Sequence, residues 1–177
     1  FFLPDETAYV AYRGTDDSLV GWKEDFNMAF ACPVPAQTEA LKYLQRFCRE
    51  TSCPVRVGGH SKGGNLAVYA AANLEEDLQG RILQVYSNDG PGMLEVTVSS
   101  EGYERISGEI VSILPEFSII GMLMHQHRNY QVVCSAASGL MQHSAFTWEV
   151  MGACFVRLPE LKPSSLKIDA VLDQWLF

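Results

Sequence analysis

The 177-residue sequence is poor in basic residues. Its 13 lysines and arginines are outnumbered by 21 aspartates and glutamates, which gives a formal net charge of -8. Nucleic-acid binding depends on clustered basic side chains that neutralise phosphates, so we expect no nucleic-acid partner. The sequence also lacks a long hydrophobic run. The longest candidate, residues 117–124, falls far short of the about 20 residues that a membrane-spanning helix needs, so we expect no membrane anchor.

Cofactor and metal motifs are missing as well. There is no G-x-x-x-x-G-K-[ST] phosphate loop and no G-x-G-x-x-G dinucleotide fingerprint. The five cysteines include no C-x-x-C pair and no zinc-ligand spacing. We therefore expect neither a metal nor an organic cofactor. Scattered thiols in odd number suit a reducing compartment, which predicts a cytoplasmic location.

Apolar runs alternate with helical patterns along the chain. The expected strands are residues 7–12, 54–58, 81–87, 110–114 and 130–135, and the expected helices are 37–49, 66–74, 103–108 and 168–177. This alternation predicts an α/β fold, with a mostly parallel sheet and helices on both faces. The continuous apolar strands predict burial on both sides. We expect a single domain over residues 1–177, and a fragment or processed chain because the first residue is Phe1.

The pattern G-x-S-x-G is formed by Gly59, Ser61 and Gly63. A β-branched strand precedes it and an alanine-rich helix follows it, which is the context of a nucleophile elbow. Glycines on both sides of the serine allow the strand and the helix to approach closely, because they carry no Cβ atom. The alternative is a glycine-rich loop with an incidental serine. The context favours Ser61 as the nucleophile of a serine hydrolase.

A nucleophilic serine needs a base, and the sequence offers four histidines. His60 lies inside the elbow, where we expect it to pack and support the turn. His125 and His127 precede the strand at 130–135, which places them at the opposite edge of the sheet. His143 follows that strand, and the carboxyl ends of parallel strands share one edge. His143 is therefore the expected base.

Two carboxylates follow strands between the serine and the histidine, where the acid of such a site is expected in chain order. Asp89 follows the strand at 81–87 in an Asp-Gly-Pro-Gly turn, and Glu116 follows the next strand. A short carboxylate held by a rigid turn orients an imidazole well, which favours Asp89. The same turn gives Asp89 a competing role as a turn former, so Glu116 stays as the alternative acid.

Two segments give the chain a resemblance to the class 3 lipase-like branch of the α/β-hydrolases. Gly59 to Ala67 resembles the family's G-H-S-L-G-G-x-L-A elbow. Val10 to Thr15, followed by Trp22 and Asp25, resembles its R-G-[ST] loop and W-x-x-D pattern. The resemblance implies an α/β-hydrolase fold and lipase or esterase activity. The family places its acid in a D-P-[VI]-P segment, and the corresponding Leu114 to Ser118 contains no aspartate.

A bacterial group of lipase-like proteins with a G-H-S-K-G-G elbow is more similar still. The likeness rests on Lys62 after the serine, the turn at 89–92, the S-I-I-G-M-L segment at 118–123 and the Gln142-His143 pair. The resemblance implies an oxyanion hole formed by the backbone N–H groups of Thr15 and Lys62. A helix that begins at residue 62 would place that second N–H group at its positive end.

Hydrolysis of carboxylic esters is the expected reaction. Ser61 attacks the carbonyl of an acyl ester, which includes lipid esters, and forms an acyl-enzyme. His143 accepts the proton, and Asp89 or Glu116 orients His143. Two alternatives stay open: a thioesterase or peptidase with the same triad, and a binding or scaffold protein on a hydrolase fold whose site has decayed. The apolar segment 117–124 forms either core or the lining of an acyl pocket.

Overall fold

The fold is built on a mostly parallel sheet. The computed structural model describes residues 1–14, 27–28, 30–125 and 129–167. The strands within these residues are β1 (Ala8–Tyr12), β2 (Val55–His60), β3 (Ile82–Asn88), β4 (Ile110–Pro115), β5 (Tyr130–Val133), β6 (Val150–Met151), β7 (Cys154–Phe155) and β8 (Arg157–Leu158). The main sheet has the order β1-β2-β3-β4-β5-β8. Strands β1 to β5 pair in parallel, and β8 pairs antiparallel with β5.

Helices connect the parallel strands. They are α1 (Pro35–Glu50), α2 (Lys62–Ala72), α3 (Glu76–Gln79), α4 (Glu95–Val98) and α5 (Glu101–Ile106). Helix α1 begins with proline, whose missing N–H group costs nothing at that position, and buries Ala40, Leu44 and Cys48 on one stripe. The α/β architecture with a mostly parallel sheet is confirmed. The predicted helix at 168–177 lies outside the described residues.

The main core lies on one face of the sheet. Val10, Val57 and Val85 are neighbours in register on β1, β2 and β3, and all three are buried. The described helices contribute to the cluster around these valines. On the opposite face, Tyr9 and Tyr86 stack with their ring centroids 6.1 Å apart, and both are half-buried. On this opposite face, Ala145 of the 3₁₀ helix Ala145–Thr147 packs in a cluster with Ile113 and Val133.

Burial differs between β4 and the strands β1 to β3. Residues 112–115 of β4 are all buried, as predicted for a strand covered on both sides. In β1 to β3, buried residues alternate with half-buried or exposed ones, so the prediction of continuous burial is wrong there. Polar side chains on the open face account for the difference. Arg56 on β2 lies there and pairs with Asp5 at 3.1 Å. Among the described residues, no helix combines the length and apolar character needed to cross a membrane.

Candidate active site

Ser61 lies on the sharp turn between β2 and α2. Its backbone torsions are φ 56 and ψ -131, a positive-φ conformation that is costly for a residue with a side chain. Glycine at 59 makes the turn possible, since a Cβ atom there would lie 2.6 Å from the carbonyl oxygen of Tyr12. The Ser61 N–H group donates to the Asn88 carbonyl at 2.9 Å, which ties the turn to β3. The strained elbow predicted from the glycine pattern is therefore present.

Ser61, His143 and Asp89 form one continuous hydrogen-bonded row. His143 Nε2 lies 3.0 Å from Ser61 Oγ, and His143 Nδ1 lies 2.7 Å from Asp89 Oδ2. The side chain of His143 is 29% exposed and that of Asp89 only 1%. The imidazole is thus partly open to solvent and bonded to a buried carboxylate. This is the arrangement in which a carboxylate fixes the tautomer of an imidazole that takes a proton from serine.

The Asp89 carboxylate is held from a second direction. Its Oδ1 atom accepts a hydrogen bond of 2.5 Å from Ser118 Oγ. The Asp89 backbone has φ 47, and its N–H group donates to the Ile113 carbonyl at 2.8 Å. Gly121 packs against this pair, because a Cβ atom at that position would lie 2.7 Å from Ser118 Oγ. Ser118 was not among the predicted site residues, although it opens the S-I-I-G-M-L segment that carries part of the resemblance.

Glu116, the alternative acid, has different partners. Its Oε1 atom accepts hydrogen bonds from Gln142 Nε2 at 3.2 Å and from Lys162 Nζ at 2.8 Å. The structure therefore brings Asp89, and not Glu116, to the imidazole of His143. The side chain of Glu116 is 18% exposed, and Lys162 offsets its charge. Glu116 supports the loop that carries His143 rather than the ring itself.

His60 packs against His143, as its place in the elbow predicted. Its Nε2–H group donates to the backbone carbonyl of His143 at 2.6 Å, and the two ring centroids are 4.6 Å apart. Burial lowers the pKa of His60, which favours the neutral ring in this position. His125 lies away from this row and pairs with Glu95 at 3.3 Å. His127 lies outside the described residues.

Gln142 anchors the loop that carries His143. Its side chain is almost completely buried: Oε1 accepts from the Phe117 N–H group at 2.8 Å, and Nε2 donates to the Ala137 carbonyl at 3.0 Å as well as to Glu116. Trp148 Nε1 donates to the Gln142 carbonyl at 2.8 Å. Sequence reasoning placed Gln142 in a resemblance but gave it no role. Its position directly before the histidine was the available signal.

Gln142→Ala is expected to lower the free energy of unfolding by about 1–3 kcal/mol, because the part-buried Phe117 N–H group and the Ala137 carbonyl lose their partner. Urea denaturation followed by tryptophan fluorescence measures this change. Gln45→Ala on the half-buried side of α1 is the matched control and is expected to have little effect. Equal stability changes in the two variants would contradict the role of Gln142.

A second polar group fixes the turn that carries Asp89. Asn65 on α2 donates through Nδ2 to the Gly92 carbonyl at 2.6 Å, and its Oδ1 accepts from Gln37 Nε2 at 2.9 Å. Both side chains are buried. Gln37 also accepts a hydrogen bond from the Val34 N–H group, so α1, α2 and the acid turn are linked. Nothing in the local sequence pattern indicated this link, because the partners lie far apart in the chain.

The predicted oxyanion donors are only partly described. Thr15 lies outside the described residues. Gly14 lies beside the elbow, since a Cβ atom there would be 2.8 Å from the His60 carbonyl oxygen and 3.7 Å from Ser61 Cβ. Lys62 is the first residue of α2, and its side chain is buried. The loop after β1 and the start of α2 therefore both approach Ser61.

Exposed apolar side chains lie in the same loop as His143. Leu140 and Met141 are each 67% exposed, and Phe146 is fully exposed. The apolar segment 117–124 belongs only partly to the core. Met122 packs in a core cluster with Leu114, whereas residues 119 and 120 are half-buried. Among the described residues, no group of three or more His, Cys, Asp and Glu is arranged to hold a metal ion.

Comparison with known proteins places the chain in a family. A family model described as Mbeg1-like matches residues 1–177, the whole chain. No curated protein matches the sequence. Among solved structures, the chain is similar to the crystal structure of Paleococcus ferrophilus monoacylglycerol lipase, with a TM-score of 0.38 and 10% identity over 96% of this chain and 93% of that chain. The chain therefore belongs to the Mbeg1-like family, a lipase-like family.

Proposed function

We propose that this protein is a serine hydrolase that cleaves carboxylic esters through an acyl-enzyme. The observation that carries the proposal is the hydrogen-bonded row from Ser61 Oγ through both nitrogens of His143 to Asp89. Three groups in this order supply a nucleophile, a base and an orienting carboxylate. The positive-φ turn at Ser61 supports the proposal, because such strain tends to persist where function requires it.

The reaction follows from the donors and acceptors of the row. Ser61 Oγ attacks the ester carbonyl while its proton passes to His143 Nε2. The buried Asp89 carboxylate stabilises the imidazolium through Nδ1. His143 then gives the proton to the departing alcohol, and the acyl group stays on Ser61. Water repeats the sequence, with His143 as the base, and releases the acid.

We assign the oxyanion to the backbone N–H groups of Lys62 and Thr15. Lys62 begins the 11-residue helix α2, so its N–H group lies at the positive end of the helix dipole. The approach of Gly14 to the elbow supports a donor from the loop after β1. A donor of this kind is worth about 3 kcal/mol in the transition state, by analogy with a measured oxyanion hole.

We infer that the substrate is an uncharged acyl ester, including lipid esters. The side chains of Leu140, Met141 and Phe146 form an exposed apolar rim on the loop that carries His143. Residues 129–148 contain no Asp, Glu, Lys or Arg, so the loop that carries His143 contributes no carboxylate, lysine or arginine to bind a charged acyl group. Such a rim suits a hydrocarbon chain, whose burial contributes about 0.8 kcal/mol per methylene.

Two further assignments complete the proposal. We infer that the chain is close to the bacterial lipase-like group with the G-H-S-K-G-G elbow. The segments that carry this likeness supply Asp89, Ser118 and Gln142 to one site. We also propose a cytoplasmic location, because all five cysteines are free.

A fluorophosphonate probe tests whether Ser61 is an activated nucleophile. The folded wild-type protein is expected to be labelled at Ser61, and Ser61→Ala is expected to lose the label. Ser52→Ala, at an exposed position before β2, is the matched control and should be labelled like the wild type. The absence of labelling in folded wild-type protein would favour a scaffold. Nitrophenyl esters, thioesters and peptide substrates then separate esterase from thioesterase and peptidase activity.

A further inference from the structure

We infer that Ser118 is a positioning residue for the triad: its hydroxyl fixes the Asp89 carboxylate so that the other oxygen faces His143. This inference rests on the proposed function and deepens it. The two oxygens of Asp89 have separate partners, with Oδ1 bound to Ser118 Oγ at 2.5 Å and Oδ2 bound to His143 Nδ1 at 2.7 Å. A carboxylate with only one of these bonds would be free to rotate about its terminal bond.

The surroundings of Ser118 are built for this contact. The residue is 1% exposed, and its N–H group donates to Ser165 Oγ at 2.9 Å. The adjacent Phe117 N–H group donates to Gln142 Oε1, in the residue directly before His143. The segment after β4 therefore contacts the acid on one side and the histidine loop on the other. Its geometry sets the distance between the carboxylate and the ring.

The hydroxyl also moderates the charge of Asp89. A hydrogen bond to a buried carboxylate spreads its negative charge and weakens its pull on an imidazolium. Loss of that bond leaves the charge concentrated on the side of His143. The protonated ring would then persist to higher pH, and the acid limb of kcat/KM would shift upward. A residue with a purely structural role would lower activity without moving that limb.

Among the described residues, Lys62 follows Ser61 in the chain with a buried side chain, and three further ionisable groups lie near the acid and the base. His60 lies against the ring of His143, and its pKa is lowered mainly by burial. Glu116 and Lys162 lie on the far side of Gln142 and pair with each other at 2.8 Å. None of these three groups contacts Ser118 through a described hydrogen bond. A shift of the acid limb in a Ser118 variant would therefore report on Asp89 and His143.

The test compares Ser118→Ala with Ser165→Ala on a nitrophenyl acyl ester. Ser165 is also fully buried and accepts a hydrogen bond from the backbone of Ser118, but no hydrogen bond is described between Ser165 and Asp89. We expect Ser118→Ala to lower kcat by about 10- to 100-fold with little change in KM, and to move the acid limb to higher pH. We expect Ser165→Ala to keep the wild-type pH profile. An unchanged kcat and profile in folded Ser118→Ala, or the same profile in both variants, would overturn the inference.

Two further variants keep the test decisive. If Ser118→Ala does not fold, Ser118→Cys keeps the size of the side chain with a weaker donor and should show the same upward shift. In an Asp89→Asn background, Ser118→Ala should add little further loss in kcat, because the carboxylate it serves is gone. A full additional loss would overturn the inference. An inactive and unlabelled wild-type protein would instead contradict the proposed function itself.

Discussion

Asp89→Asn is expected to lower kcat by roughly 10⁴-fold on an acyl ester, by analogy with the serine proteases. The amide presents an N–H group to His143 Nδ1, which favours the wrong tautomer and removes the charge that stabilises the imidazolium. Glu116→Gln is expected to lower kcat far less, because its carboxylate bonds to Gln142 and Lys162 and not to the ring. Steady-state kinetics of the two variants measure the difference.

Thermal unfolding of both variants provides the control, since each replaces a carboxylate by an isosteric amide. A similar melting temperature with a large difference in kcat would assign the acid to Asp89. The reverse ranking, with Glu116→Gln the more damaging change, would remove Asp89 from the proposed triad. The comparison distinguishes the two candidate acids directly, because Asp89 and Glu116 follow the adjacent strands β3 and β4 at the same edge of the sheet.

Ser61→Ala and His143→Ala are each expected to lower kcat by about 10⁶-fold, and the double variant is expected to lower it no further. The two side chains act as one unit, because the hydroxyl reacts only when its proton has an acceptor 3.0 Å away. Once either member is lost, the remaining rate comes from the oxyanion donors and from substrate binding. A double-mutant cycle in kcat measures this non-additivity.

Ser52→Ala is the reference for losses of activity that arise only from expression and purification, because Ser52 is exposed and remote from the site. Losses that add in the double variant would contradict the proposal, since they would mean that Ser61 and His143 contribute independently. Titration with the fluorophosphonate probe before each assay excludes a contaminating esterase as the source of the residual rate.

Local sequence signals predicted the elbow and placed His143 at its edge of the sheet. Both depend on short-range information: two glycines around Ser61, and a histidine after a strand whose direction follows from the α/β alternation. The choice between Asp89 and Glu116 required knowledge of a long-range contact. Both follow strands at the correct edge, and the deciding contact joins residues 54 positions apart in the chain.

The supporting residues were beyond the reach of sequence patterns for the same reason. Asn65, Gln142 and Ser118 act through hydrogen bonds to partners that lie 25 to 29 positions away. Polar residues of these types are most often exposed, so composition alone predicts surface positions for them. Burial of β1 to β3 was overestimated because apolar runs do not reveal which face remains open.

Residues 116–118, which follow β4, form a segment whose length is constrained. Phe117 contacts Gln142, directly before His143, and Ser118 contacts Asp89, while the Glu116 N–H group donates to the Val133 carbonyl. An insertion or deletion of one residue here is expected to displace Asp89 and His143 together. Surface loops usually tolerate such changes, but this one is expected to keep a fixed length wherever the triad is retained.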